Sequence, residues 1–431
     1  MSISYAKFTE LDCANTNCEL HTDPVHGIYF NDRNTNKRIY RHTPTSLRDN
    51  DWYAWMYTNA DEAKVLWEVA SNEIEPTEAE ISSNGGYSLL SSYSFMDTDV
   101  PTISVPGSPP VLVLPKPEAF PLVIASDNGT FFMDEHTEHA PKHQYEPAFQ
   151  AMVVMNPGIR FNDIDIVTNR TTILLLLRFV RGVSFQAFHL DLDFEGNTLF
   201  IGRKVLHAKG HSKPGSYGRN FEAALTENEI EGTTSHHRML KYMLGPLNIV
   251  VRHEADAYEP NIGTLQDPDA PFGTYPGPIL SDTKFEAIQH RSPCATKIIA
   301  QGRLVPQHQI VELKSNDSAQ PKDQMWLGRT PTCCLGGKHK ADFDGIYKDT
   351  SVKVKSIHQK GDGSFEDWET RNQESLQKLV ALLQILRQRG WEGTEEHSAI
   401  LIAKNRNDLK VFATKERIGA LPREIVERFW D

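Results

Sequence analysis

The sequence predicts an α/β or α+β protein: a central mixed sheet flanked by helices and preceded by an acidic N-terminal extension. Three observations predict it. From about residue 145 onward, segments that alternate with period two are interspersed with segments of helical period, the pattern of mixed layers around one sheet. The 431 residues are 39% hydrophobic and 24% charged, which supports a sizeable core and excludes coiled coil, collagen and wholesale disorder. The formal net charge of −12 is also unevenly spread: residues 1–150 carry 9 Lys and Arg against 22 Asp and Glu, whereas the remainder carries 36 against 35. The chain therefore divides into an acidic element at 1–85, a Pro/Ser-rich linker or extended wrap at 86–144, and the main domain at 145–431, interrupted by a Pro-rich insert at 257–285.

Residues 49–69, with Trp52, Trp55 and Trp67, read as helix-like. Residues 82–120 include SVPGSPPVLVLPKP, a composition that resists the interior of helices and sheets. A short strand is expected at 164–167, then a helix through ILLLLRFV that Asn169 would cap. In FQAFHLDLDF, the side chains Phe188, Leu190, Leu192 and Phe194 share one strand face, and Glu195-Gly196-Asn197 turns the chain into TLFIGR. Helix is expected at 217–226, and two strands over 238–256 joined at Gly245-Pro246. A further strand is expected at 309–314. Residues 366–389 are the clearest helix, with Leu376, Leu379, Val380, Leu383 and Leu386 as its apolar stripe. A hairpin, SAILIAK to LKVFATK, and a final helix, REIVERFW, complete the expected order.

The apolar run Ile173–Leu177 is far too short to cross a bilayer, and MSISYAKFTELD has neither the basic nor the apolar region of a secretory leader. The expectation is an intracellular protein, nuclear or cytoplasmic, without membrane contact. Five cysteines with no CxxC pair suit reduced thiols rather than a disulfide framework or a structural zinc.

Two segments carry chemistry. In Val250-Val251-Arg252-His253-Glu254-Ala255-Asp256, the residues Glu254 and Asp256 point the same way; in Ile310-Val311-Glu312-Leu313-Lys314, Glu312 and Lys314 do so. Apolar residues precede both pairs, so the charges stand where core strands emerge. Grouping three carboxylates there without compensation is costly. A hard divalent cation, Mg²⁺ or Mn²⁺, removes the repulsion, and a lysine beside it can orient a water for attack on a phosphodiester. An acid followed by E-x-K on two neighbouring strands is the signature of the PD-(D/E)XK nucleases. The plain alternative is a solvated strand end with an ion pair.

Further residues extend the pattern. Gly218-Arg219-Asn220-Phe221-Glu222 places an acid on a helix before the strands. Gln324 opens the segment Gln324-Met325-Trp326-Leu327-Gly328 after the E-x-K strand. Arg170 stands at a strand-to-helix junction. This ordered set resembles the DXO-type decapping exoribonuclease family, over roughly residues 145–350. The resemblance implies a PD-(D/E)XK-like fold and action on RNA 5′ ends. It further implies one or two metal ions held by Glu222, Glu254, Asp256 and Glu312. Lys314 and Gln324 would serve the nucleophile or the scissile phosphate, and Arg170 would contact RNA phosphate. The sequence departs from that family in its long gap between Asp256 and Glu312, in Cys333-Cys334 after the glutamine segment, and in its first 85 residues. As a whole it is similar to uncharacterised fungal proteins often labelled geranylgeranyl pyrophosphate synthetases. That label fails on chemistry: the sequence has no DDxxD and is not nearly all-helical.

Basic residues Arg203, Lys204, His207, Lys209, His211, Lys213 and Arg219 are spaced to follow a phosphate backbone or to line a solvated loop. His236, His237 and Arg238 are read as phosphate contacts or plain surface, since neighbours on a strand face opposite ways. Two readings of different class follow: a metal-dependent RNA nuclease, or an inactive nuclease-fold module that binds RNA or a protein partner. The acidic N-terminal third with Trp52 and Trp55 is the candidate protein interface.

Overall fold

A computed structural model describes residues 54–132, 135–140, 142–183, 187–205, 209–212, 215–260, 296–316, 321–338, 351–361, 365–393, 397–404, 408–417 and 419–431, with the strand residues 5–6, 20–23, 27–32 and 37–41. The chain forms two compact units, Met1–Thr58 and Asn59–Asp431. The first contains a four-stranded sheet in the order Tyr5–Ala6, Lys37–Arg41, Gly27–Asp32, Leu20–Asp23.

The main elements of the second unit are β1 (Ala60–Val69), β2 (Ser88–Met96), β3 (Thr102–Gly107), α1 (Glu146–Met155), β4 (Ile166–Asn169), α2 (Arg170–Val180), β5 (Phe188–Glu195), β6 (Thr198–Lys204), α3 (Gly218–Leu225), β7 (Thr233–Leu244) and β8 (Leu247–Glu254). They continue with β9 (Lys297–Gly302), β10 (Ile310–Lys314), α4 (Lys322–Gly328), β11 (Thr332–Lys338), α5 (Glu366–Gly393), β12 (Ser398–Ala403), β13 (Leu409–Thr414) and α6 (Arg423–Phe429). Eleven strands form one mixed sheet in the order β9-β3-β2-β7-β8-β4-β6-β5-β12-β13-β1. A second sheet of seven strands contains the short strand Ala257–Tyr258, then β10 and β11.

Alternation decides which helices cover which face of the large sheet. Phe188, Leu190, Leu192 and Phe194 of β5 pack with Ile249 and Val251 of β8 against the leucines of α2 and α5. Val250 and Phe200, from the opposite faces of their strands, pack with α1, Phe429 and Trp430. Every residue of α1 is buried, as is nearly all of α2, which is why α2 carries an unbroken apolar run rather than a stripe. Among the described residues, no helix is long and apolar enough to cross a membrane.

Each element expected between β4 and α6 is present, joined by the unexpected strands β9, β11 and Ser351–Gly361, but the first third differs more. Residues 49–69 are not a helix: a short 3-10 turn, Ala54–Tyr57, leads into the ten-residue β1. Val65, Trp67 and Val69 alternate along it, and β1 pairs antiparallel with β13. The expected division at residue 85 is therefore corrected to residue 58, because β1 is an edge strand of the large sheet.

The stretch 86–144 is likewise not a linker. It supplies β2 and β3, with Ser91, Ser92, Ser94 and Ser104 buried in the sheet. Their hydroxyls bond to backbone carbonyls, as Ser92 Oγ does to that of Pro106 (2.9 Å), Ser94 Oγ to that of Ser108 (3.2 Å) and Ser91 Oγ to that of Ala148 (3.2 Å), so a serine-rich strand leaves no unpaired polar group at these positions. Pro106 lies beyond the two residues of β3 that pair with β2. Residues 261–285 of the Pro-rich insert lie outside the described residues, as do Trp52, His207, Lys213, Cys13, Cys18 and Cys294.

Candidate active site

The two chemistry-bearing segments belong to different sheets, not to adjacent strands of one. β8 ends the large sheet's contribution at Glu254. The chain continues through Ala255 and Asp256 into Ala257–Tyr258, which pairs antiparallel with β10 in the second sheet, Ala257 opposite Val311. The acids thus collect at the junction where one continuous stretch passes from sheet to sheet.

At that junction Arg170, the first residue of α2, is buried and donates from Nη1 to Glu312 Oε2 (2.8 Å). Lys314 Nζ donates to Glu312 Oε1 (2.5 Å) and lies 3.8 Å from Asp256 Oδ2. Asp256 Oδ2 also accepts the Leu313 backbone N–H (2.8 Å). Glu312 is only 2% exposed, whereas Glu254 is open to solvent and Glu222, on α3, is partly so.

These surroundings drive the carboxylates apart. Burial, then Asp256 and Glu254, push Glu222 up to about 9. Glu254 still reaches solvent, yet the protein packed around it, then Asp256 and Glu135, push it up to about 8. Burial and Glu312 raise Asp256 to about 6 against the pull of Lys314 and Arg170. Burial opposes ionisation of Glu312, but Arg170 and Lys314 outweigh it and hold that carboxyl at about 2. The same contacts outweigh burial for Lys314 and hold its ammonium above the ordinary value.

Three carboxylates pushed toward their protonated form beside a fourth held ionised are the donor set a hard divalent cation suits. Among the described residues, however, no three His, Cys, Asp or Glu side chains are grouped closely enough to hold an ion. The donor chemistry fits a metal; the side chains as they stand do not form its cage.

Gln324 is half-buried on α4, a helix that packs against α2 and β8, the elements carrying Arg170 and Glu254. The expected basic contacts separate into three groups. Arg203 and Lys204 line a different cavity, with Asp191 and Gln144. Arg219 is exposed on α3, its guanidinium 3.3 Å above the Phe131 ring. Lys209 is exposed and pairs with Phe132 in a two-stranded ribbon.

Arg238 does not meet solvent. It is 1% exposed and donates to the Val305 carbonyl (2.6 Å), with burial lowering its pKa to about 10. His236 and His237 are buried beside it, so the expected phosphate contact or plain surface is corrected to a packed interior. All three sit on β7 within the run His236–Leu240, where residues pointing to both faces of the sheet are buried.

The sequence reading missed Glu135, one of the charges that raise Glu254, and the ring cluster beside it. Tyr93 Oη lies 2.5 Å from His136 Nε2, and the His136 and His237 rings are 4.4 Å apart. His237 stands opposite Glu254 in the β7–β8 ladder. The run Glu135-His136-Thr137-Glu138-His139 was the available signal.

Solved structures resemble this fold. Scheffersomyces stipitis Rai1, in complex with (3′-NADP)+ and calcium ion, superposes with a TM-score of 0.50 at 9% identity, over 84% of this chain and 97% of that one. K. lactis Dxo1 in complex with manganese matches at a TM-score of 0.47 and 9% identity, over 81% and 98% of the two chains. Candida albicans Rai1 in complex with pU5-Mn2+ matches at 0.45 and 11%, over 82% and 97%. The first of these shares the mixed α+β fold described above, and that fold leaves no place for the prenyl synthase label. The chain itself belongs to the family described as a domain of unknown function (DUF8563), whose profile matches residues 63–430. No curated protein matches the sequence.

Proposed function

We propose that the chain is a metal-dependent phosphodiesterase acting inside the cell, in nucleus or cytoplasm, on RNA 5′ ends, as an exoribonuclease or decapping-type enzyme. The observation that carries the reading is the junction site: Glu222, Glu254 and Asp256, all pushed toward the protonated form, beside a Glu312 held ionised by Arg170 and Lys314. A nucleotide and a divalent cation bound to the Rai1 of S. stipitis are in keeping with it.

Glu222, Glu254, Asp256 and Glu312 would hold Mg²⁺ or Mn²⁺, which polarises a phosphoryl oxygen and lowers the pKa of a bound water. Lys314 is kept protonated, so it donates to the phosphate or orients the water rather than removing a proton. Gln324 would position the same water or phosphate, and Arg170 would meet the RNA phosphate through the charge that Glu312 leaves over. Lys209 and Arg219 are exposed to meet the strand further out; Lys213 is assigned to it by sequence alone.

One observation favours the second reading, an inactive module that binds RNA: Glu312 is already neutralised, and among the described residues no three acids stand close enough to cage an ion. A protein interface at the N-terminal third gains no comparable support, since Trp55 is partly buried in its 3-10 turn.

Hydrolysis of 5′-labelled single-stranded RNA with Mn²⁺ or Mg²⁺, beside Glu254→Gln and Glu312→Gln, separates the readings. Turnover that falls at least about 100-fold in both variants, with unchanged circular dichroism, supports the enzyme. A variant at the wild-type rate, or RNA affinity without turnover on any 5′ end group, overturns it.

A further inference from the structure

A cavity of about 210 Å³, separate from the carboxylate site, is lined among others by Lys142, Gln144, Asp191, Gly202, Arg203 and Lys204. Register places it. β4 runs parallel to both β8 and β6, with Asn169 opposite Arg252 and Thr168 opposite Ile201. Gly202 and Lys204 therefore leave the sheet at the same end as Glu254. They also leave it on the same face, since Val250 and Phe200 share one core layer and side chains alternate from there. Asp191 lies opposite Gly202 in the β5–β6 ladder. β8 and β6 are two strand spacings apart, about 10 Å. Gln144 bridges the interval: its carbonyl accepts from Arg252 Nη1, and the Arg252 guanidinium stands 5.0 Å from the Tyr145 ring.

The lining is chemically mixed. Lys142, Arg203 and Lys204 bring positive charge. Asp193 is engaged by Arg417 (3.0 Å) and the Ala420 N–H (2.7 Å), whereas Asp191 is steadied by the His189 ring (2.9 Å) at the cavity wall. Gln144 Oε1 is buried without a hydrogen-bond partner. A Cβ on residue 202 would come within 2.5 Å of Gln144 Nε2, so the glycine makes room for that amide. Cations, a hydroxyl-accepting carboxylate and an open amide oxygen within one small cavity match the phosphate, ribose hydroxyls and base amino group of a ribonucleotide.

We propose that this cavity is a ribonucleotide subsite, holding one nucleotide of the substrate strand away from the reacting phosphate, with Asp191 reading the ribose hydroxyls. This rests on the RNA reading above but not on hydrolysis, because binding alone reports it.

The test is fluorescence anisotropy with an RNA decamer, a DNA decamer and a ribodinucleotide, on the full chain, Lys204→Ala and Asp191→Asn, with Arg423→Ala as a remote charge control. The expected result is a decamer affinity about tenfold weaker in Lys204→Ala, with a shallower salt slope and little change for the dinucleotide. Asp191→Asn should narrow the RNA-over-DNA preference. Unaltered decamer affinity in both variants, equal losses for dinucleotide and decamer, or AMP bound in the cavity that the decamer cannot displace would each overturn the subsite. A chain that binds as expected but hydrolyses nothing would overturn the catalytic reading and leave the subsite standing.

Discussion

Glu312 and Glu254 are carboxylates of one site held in opposite states, one at about 2 and the other at about 8. The cause is position. Glu312 lies between Arg170 and Lys314, while Glu254 faces Asp256 and Glu135. The consequence is a pH dependence of stability with a definite sign. A carboxyl whose folded pKa is raised binds its proton more tightly when folded, so its stabilising contribution is present at low pH and lost as pH rises through the folded value. For Asp256 that window runs from 3.8 to about 6, and for Glu254 from 4.5 to about 8. Glu312 acts in reverse: its contribution is present above 4.5 and lost as pH falls toward about 2. The melting temperature of metal-free protein should therefore fall between about pH 5 and 8, and Mn²⁺ should oppose the fall; a flat profile would remove the carboxylate cluster. Arg170→Ala leaves Glu312 buried with one cation instead of two. We expect a loss of about 3–5 kcal/mol in chemical denaturation, the usual result of breaking a buried pair from one side. A loss under about 1 kcal/mol would mean that Lys314 alone holds the charge.

At the scale of elements, the turn between β5 and β6 ties strand pairing to the core. Gly196 has φ 53°, and a Cβ there would come within 2.6 Å of Trp430 Cδ1. Gly196→Ala combines left-handed strain of about 1–2 kcal/mol with that collision, so urea denaturation should show a loss of at least about 2 kcal/mol. An unchanged midpoint would show that Trp430 can move aside. The β5–β6 hairpin was legible in the sequence because a half-buried antiparallel strand alternates and its turn requires Gly or Asn. β2 and β3 were not, because buried serines bonded to neighbouring carbonyls look, in a sequence, like a loop. β1 was misread as helix because tryptophan spacing alone does not separate period two from period 3.6 over so short a span.

For the whole molecule, the decisive fact is that β1 closes the far edge of the large sheet beside β13. A chain trimmed to residues 59–431 should keep one cooperative melting transition close to that of the full chain. A chain trimmed to residue 86 exposes the β13 edge and should melt several degrees lower or aggregate. Equal melting of the two would place the boundary at residue 85 after all. The C-terminus is held just as firmly: Phe429 and Trp430 pack with Phe149 and Phe161 of the first half of the unit, and Trp430 Nε1 donates to Thr198 Oγ1 (3.1 Å).

The sequence by itself determined the mixed α/β class, most of the elements from β4 to α6, and the residues at which charge must collect. Alternation, helical period and the cost of emerging carboxylates are local properties that a chain carries in its residue order. Only the tertiary structure decided that β8 passes from one sheet into another to bring Glu254 and Asp256 to Glu312. It also decided that Arg238 is interior while Lys204 lines a cavity, and that Glu135 joins the site from a remote segment. Burial and long-range pairing depend on which strands become neighbours, and residue spacing along the chain does not record that.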